Sequence, residues 1–291
     1  MRRPLTIIAL AGMLFLAVVG PARPNDKLSV FVSIVPQRYF VQQIGRDLVD
    51  VHAMVPPGAD PHTYEPKPRQ MVAMATAKLY FAIGIEFEAA KLAKIVSTNP
   101  QIKVVRTDQG VEKISMDEGV HQDPDPSGHK GLDPHIWLSP PLVMIQARTI
   151  LDALQEADPK NRSAYEANYT AFIARLVALD TELKTIFAGR QGLHFMVFHP
   201  SWGYFGRTYN LVQVPIEMAG KTPKPSQLKE LIELARRNGI RVVFVQPQFS
   251  AKSAALIARE IGGEVAFVDP LAENWAENLR EVAKKFKAAL K

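Results

Sequence analysis

The sequence predicts an α/β fold with mainly parallel strands, and three observations carry that expectation. Apolar, β-rich runs alternate with helical patterns through both halves of the 291-residue chain, the signature of strands connected by crossover helices. The longest helical pattern falls at the midpoint of that alternation, where a stiff helix is placed to span two βα lobes as a backbone. Without its first residues the chain is about 270 residues long, which suits two lobes or one large α/β domain.

The N-terminus comes first. Met1, Arg2 and Arg3 precede an apolar and small-residue stretch from Leu5 to Gly20 that closes on Pro21, Ala22 and Arg23. A positive start, an apolar middle and a small-residue exit are the layout of a secretory signal peptide, so residues 1–22 are expected to be cleaved and the mature chain to work in the periplasm. The stretch is near the lower limit for spanning a bilayer, and no other segment approaches it.

In the first lobe, expected over 25–157, strands are predicted near 28–35, 49–55, 79–85 and 103–106, with helices around 37–45, 69–77 and 88–97 between them. A longer helix follows Ser139-Pro140-Pro141 and should run to Ala157. Ser139 is expected to accept a bond from an early backbone amide, and Pro140 suits the first helical position. The linking helix is expected over 158–189, where Tyr165, Tyr169, Phe172, Leu176, Leu179, Leu183 and Phe187 recur at steps of three and four and therefore share one stripe. The second lobe, 190–291, resumes the alternation with strands near 195–198, 211–214, 242–245 and 265–268 and helices around 226–238, 253–261 and 275–290. Asn238-Gly239 and Gly262-Gly263 punctuate two of those helices.

Composition excludes several classes. The chain has no cysteine, so no disulfide framework holds it and the fold must rest on its core. A lipoprotein needs a cysteine at its cleavage site, so no lipid anchor is expected either, and a freely diffusing monomer is. The formal net charge of +6 falls by two when Arg2 and Arg3 leave with the leader. Acidic and basic residues are interspersed, so no nucleic-acid partner is expected. Lys284, Lys285, Lys287 and Lys291 read as the wet face of an amphipathic helix.

Seven histidines sort by their settings. His62 lies in the proline-stiffened loop Pro56-Pro57-Gly58-Ala59-Asp60-Pro61-His62, His135 in Asp133-Pro134-His135-Ile136-Trp137, and His199 in Phe198-His199-Pro200 at the exit of a strand. Each sits beside proline at an element boundary, which fixes direction at low entropic cost. Asp269, in Val268-Asp269-Pro270, ends the last strand, at the edge where open α/β sheets place ligands. Three imidazoles and a carboxylate suit the tetrahedral preference of Zn²⁺. Each residue alone also has an ordinary structural reading, and ligands scattered along the chain have no local signature, so the residues by themselves leave metal binding and structural roles open. His121 and His129 fall in a Pro-, Gly- and Asp-rich loop read as solvated, and His52 and His194 lie in or beside strands as structural residues.

Together, the run from Val55 to Pro68, Asp133-Pro134-His135-Ile136-Trp137-Leu138, Phe198-His199 with Tyr204 and Phe205, Gln246-Pro247-Gln248-Phe249-Ser250 and Val268-Asp269-Pro270-Leu271 resemble the zinc- and manganese-specific solute-binding proteins of bacterial ABC importers. The resemblance covers essentially the whole mature chain. It implies two α/β lobes joined by one long helix, a metal site in the interlobe cleft, a membrane permease as partner, and ligands at His62, His135, His199 and Asp269. Manganese-type members tend to carry a carboxylate where His199 stands, so imidazole there points to Zn²⁺ as the transported ion, with Mn²⁺ or iron as the alternative within the family.

The sequence departs from its zinc-type relatives in two places. The His- and Asp-rich insert before the second ligand is reduced to two histidines, and Gln246 stands where glutamate is common. A secreted zinc hydrolase is the rival reading, because His62-Thr63-Tyr64-Glu65 spells His-x-x-Glu. Catalytic zinc needs an open coordination position and a general base, and a fourth ligand at Asp269 would close that position, so no enzymatic activity is expected. An adhesive surface protein with an incidental metal is the other rival.

Overall fold

The computed structural model describes residues 27–61, 63–116, 131–217 and 223–290. The expected leader, His62, His121 and His129 lie outside the described residues. The first lobe contains β1 (Leu28–Val32), α1 (Val35–Gly45), β2 (Val49–Ala53), α2 (Pro68–Met74), β3 (Leu79–Ala82), α3 (Glu86–Val96) and β4 (Lys103–Arg106). Then come α4 (Pro140–Ala157) and the long α5 (Arg162–Ile186). The second lobe contains β5 (His194–Val197), α6 (Gly203–Tyr209), β6 (Val212–Pro215), α7 (Pro225–Arg237), β7 (Val242–Val245), α8 (Lys252–Glu260), β8 (Glu264–Phe267) and α9 (Trp275–Ala289).

The two sheets have the same topology, β2-β1-β3-β4 and β6-β5-β7-β8, and every ladder between these strands is parallel. The central strands read as unbroken apolar runs because a parallel sheet is covered on both faces: Val30, Val32, Tyr80, Phe81, Met196 and Val197 are all shut off from solvent. In each sheet the chain leaves its first strand to one side and returns on the other. That places a crevice beyond the carboxyl edge, at β1/β3 in one lobe and β5/β7 in the other.

Helix α5 joins the lobes. At about 1.5 Å per residue its 25 residues span roughly 37 Å. Toward the first lobe, Asn168 Nδ2 donates to the Ile44 carbonyl at 3.0 Å and Arg175 to Gln43 Oε1 at 2.7 Å. Toward the second, Asp180 accepts from Tyr209 at 3.2 Å and Glu182 pairs with Arg280 at 2.7 Å. Of the predicted stripe, Tyr165, Phe172, Leu176, Leu179, Leu183 and Phe187 are buried and Tyr169 is half-buried. The helix starts later than its pattern suggests because Asp158 closes α4, and Oδ2 of Asp158 accepts from Tyr165 at 2.8 Å and Asn161 at 2.7 Å.

Two local expectations are corrected. Ser139 does not cap α4 through its side chain. Pro141 removes the N2 amide, one of the two that a cap side chain serves, and the Ser139 hydroxyl pairs instead with Thr208 at 2.8 Å. Helix α6 is absent from the sequence reading, since Gly203 and Gly206 weaken any helical pattern. It forms because Tyr204, Phe205 and Tyr209 are buried, Phe205 against Phe187 at 5.7 Å and Phe286 at 5.7 Å.

One apolar cluster runs through both lobes, from Val30 to Leu290, while a second joins the β5–β8 sheet to α7 and α8. The lobes are also tied by buried polar bonds. Trp137 Nε1 donates to the Pro270 carbonyl at 2.7 Å, and Trp275 Nε1 donates to the Trp137 carbonyl at 2.8 Å. On the α6 side, Tyr204 donates to the Asp133 carbonyl at 2.9 Å and accepts from the Ile114 amide at 3.1 Å.

Candidate metal site

The cleft between the lobes is lined by Asp60, Pro61, Ile85, Glu86, Pro134, His135 and Trp137 on one side, and by His199, Gln248, Phe249, Pro270 and Leu271 on the other. All of these follow the carboxyl ends of strands or sit in the segment before α4, which is why so many loop residues converge there.

His135 is buried and its direction is set by its own loop. Asp133 Oδ1 takes both the His135 amide, at 2.8 Å, and His135 Nδ1, at 2.7 Å. His199 leaves the end of β5 buried. Gln246 clamps its backbone: Nε2 donates to the His199 carbonyl at 2.7 Å and to Ser201 Oγ at 3.0 Å, and Oε1 accepts the His199 amide at 3.3 Å. A neutral amide both donates and accepts, so glutamine does at this position what a carboxylate would do only in part. His199 Nδ1 pairs with Glu217 Oε2 at 2.7 Å, and Phe249 stacks on its ring at 4.9 Å.

The two imidazoles are thus built alike. An ionised carboxylate only accepts, so in the neutral rings each Nδ1 carries the proton and each Nε2 carries the lone pair a metal needs. Their ring centroids lie 5.3 Å apart at 72°.

Asp269 follows β8, where Val268 continues the ladder to the Val245 carbonyl at 3.0 Å. Its Oδ1 accepts from the Leu271 amide at 2.9 Å and from Gln248 Nε2 at 3.3 Å. Pro270 and Leu271 beside it reach the cleft. The structure therefore brings His135 and His199 together and holds Asp269 at the same sheet edge. Asp60 and Pro61 of the His62 loop line the same cleft. Among the described residues no three His, Asp or Glu side chains group closely enough to hold a metal ion. Of the histidines read as structural, His52 lies in β2 and pairs with Asp50 at 3.0 Å, and His194 opens β5.

Three supporting carboxylates escaped the sequence reading. Asp133 had a legible signal, an aspartate two residues before a candidate ligand. Glu217 had none, because its distance from His199 closes only when β5 and β6 pair. Glu88, buried in the first turns of α3, accepts the amides of Ile83 at 2.8 Å and Gly84 at 2.7 Å and the Ser33 hydroxyl at 2.5 Å. Burial pushes its carboxyl above the usual range, against the pull of those bonds. It anchors the turn that delivers Ile85 and Glu86 to the cleft. That turn needs glycine at 84, where φ is +84° and an added Cβ would strike Lys113 Nζ and Asp108 Oδ2.

Two parallel α/β lobes on a common helix, with a cleft between their carboxyl edges, define a two-lobed solute-binding protein. The chain belongs to the family described as zinc-uptake complex component A, periplasmic, whose model matches residues 30–289. Membership places it among the metal-binding substrate receptors of ABC importers. The chain is similar to a putative metal-binding protein of Treponema pallidum, 31% identical over 293 residues that cover 96% of this chain and 92% of the relative. It is also similar to the high-affinity zinc uptake system protein ZnuA of Bacillus subtilis, 29% identical over 254 residues covering 85% of this chain and 79% of that one. Among solved structures, a crystal structure of ZnuA superposes with a TM-score of 0.85 at 46% identity, covering 91% of this chain and 100% of that chain. A zinc-bound deletion mutant of ZnuA gives 0.84 at 46% identity, covering 91% and 99%.

Proposed function

We propose that the chain captures Zn²⁺ outside the cytoplasm, with His62, His135, His199 and Asp269 as ligands, and delivers it to the membrane permease of an ABC importer. The observation that carries the reading is the pair of buried imidazoles, each with a carboxylate on Nδ1 at 2.7 Å. Histidines oriented in this way are what zinc sites use to fix ring and tautomer together. An imidazole at 199 in place of a carboxylate supports Zn²⁺ over the harder Mn²⁺.

The reading includes an export leader cut after Ala22, a monomer without a lipid anchor in a cysteine-free chain, and lobes over 25–157 and 190–291 joined by 158–189. It assigns no catalysis. Glu65, the one base that a His-x-x-Glu site would use, is an exposed partner of Lys91 at 2.5 Å, and four protein ligands leave no open position.

Zinc outcompetes manganese at most nitrogen–oxygen sites, so a simple competition titration discriminates poorly. The deciding measurement is the metal content of protein isolated from its own periplasm without added metal. Zinc at one ion per chain, lost in His62→Ala, is expected. Manganese or iron in its place overturns the choice of ion.

The supporting carboxylates yield a separate expectation. Asp133→Asn and Glu217→Gln should each weaken zinc binding by about 10–100-fold, the range for partners of zinc-bound imidazoles. Calorimetric titration of the metal-stripped variants checks it; wild-type affinity in both would remove the carboxylates from the site.

A further inference from the structure

The two lobes repeat a short motif at equivalent places. Pro66-Lys67-Pro68-Arg69-Gln70 opens α2 and Pro223-Lys224-Pro225-Ser226-Gln227 opens α7. Each motif lies in the connection that leaves the second strand of its lobe, and the strand orders of the two sheets match position for position. The local geometry repeats as well: Gln70 Oε1 accepts the Lys67 amide at 2.8 Å, and Gln227 Oε1 accepts the Lys224 amide at 2.8 Å. Exposure follows suit, with the first proline and the glutamine half-buried and the three residues between them exposed in both copies.

Helix initiation explains only part of this repeat. Proline at the first helical position and a glutamine reaching back to the cap residue's amide are ordinary start signals. Lysine at the cap is not: Ser, Thr, Asp and Asn are the favoured caps, and a positive charge opposes the helix dipole there. The chain accepts that unfavourable placement twice. Among the described residues no carboxylate pairs with Lys67, Arg69 or Lys224, whereas Lys91, Lys103, Lys184 and Lys284 each have one.

Each motif starts the helix that follows a parallel strand, which puts it toward the carboxyl edge of its sheet, the edge the cleft lies beyond. Asp60 and Pro61 on the first connection line that cleft, and Glu217 on the second holds His199. We infer that Lys67, Arg69 and Lys224 form a paired cationic docking surface, one rim per lobe, for a protein partner that presents carboxylates twice about a two-fold axis. A partner built from two like subunits offers the same patch to each rim, and rim charges of this kind govern the rate of encounter more than they contribute to affinity. The inference rests on the importer reading, with the membrane-embedded importer as that partner.

The test is radioactive-zinc uptake by source cells that lack the chromosomal copy and carry plasmid-borne variants, at limiting zinc. Lys67→Glu/Lys224→Glu should bind Zn²⁺ as the wild type does in calorimetry, since neither residue touches the site, and should fold, since an acidic residue suits a helix start. Uptake should fall roughly tenfold in the double variant, within the span of electrostatic steering, and roughly threefold in each single variant if the two contributions multiply. Full uptake by the double variant overturns the docking surface. So does loss confined to one single variant, because the pairing then fails. If wild-type protein sediments with anionic vesicles lacking any importer and the double variant does not, lipid is the partner and the inference falls. Failure of the wild type to restore uptake sinks the importer reading itself and is distinct from all three outcomes.

Discussion

Replacing His199 by alanine is expected to lower zinc affinity by well over a hundredfold. A supporting carboxylate of a zinc-bound imidazole is worth about 10–100-fold, and removing the imidazole removes both the donor atom and the reason for its partner. The Glu217 side chain is only 9% exposed, so without His199 it is left as a buried charge lacking the ring it was placed to orient, which adds a cost in stability. Unfolding of the metal-free variant separates the two effects, because a binding defect persists under conditions where the variant is fully folded. His129→Ala, in the polar loop, is the comparison and should leave affinity unchanged. Equal losses in the two variants would show that the histidines have been sorted wrongly.

Trp275→Ala should be among the most destabilising single changes in the chain, at about 3–5 kcal/mol. Trp275 is 1% exposed, packs edge-on against Phe40 at 5.0 Å and lies 5.9 Å from the Tyr39 ring. Its indole also holds the Trp137 carbonyl, and Trp137 in turn holds Pro270. The His135 segment of the first lobe and the Asp269 segment of the second are therefore joined through two tryptophans. Trp275→Phe keeps most of the apolar volume but strands that carbonyl, at about 1–3 kcal/mol. Chemical denaturation of the metal-free protein should rank wild type above Trp275→Phe and Trp275→Phe above Trp275→Ala. A Trp275→Phe midpoint equal to wild type would mean the indole bond contributes nothing to holding the lobes together.

Much of the fold was legible before any coordinates. The strands at 103–106 and 242–245 form where they were expected, and α4 begins at Pro140 and ends at Ala157 as its proline start and periodicity indicate. These are local signals, carried by residues that contact one another within a turn or across one sheet. Helix α6 and the fate of the Ser139 hydroxyl were not legible. In α6 the aromatic side chains are held by Phe187, just past the end of α5, and by Phe286 of α9, and Thr208 is far from Ser139 in sequence. Tertiary packing there outweighs weak local propensity.

The candidate site divides along the same line. From sequence alone came the addresses of the histidines: a proline beside each fixes the backbone locally, so His135 and His199 could be marked as aimed residues without knowing what they face. Tertiary structure decided that those two rings meet across the cleft, that Glu217 orients one of them, and that Gln246 serves as a backbone clamp. Those relations depend on strand pairing and on lobe packing about α5, and distances between residues far apart in the chain are set by the whole core, which no local pattern encodes.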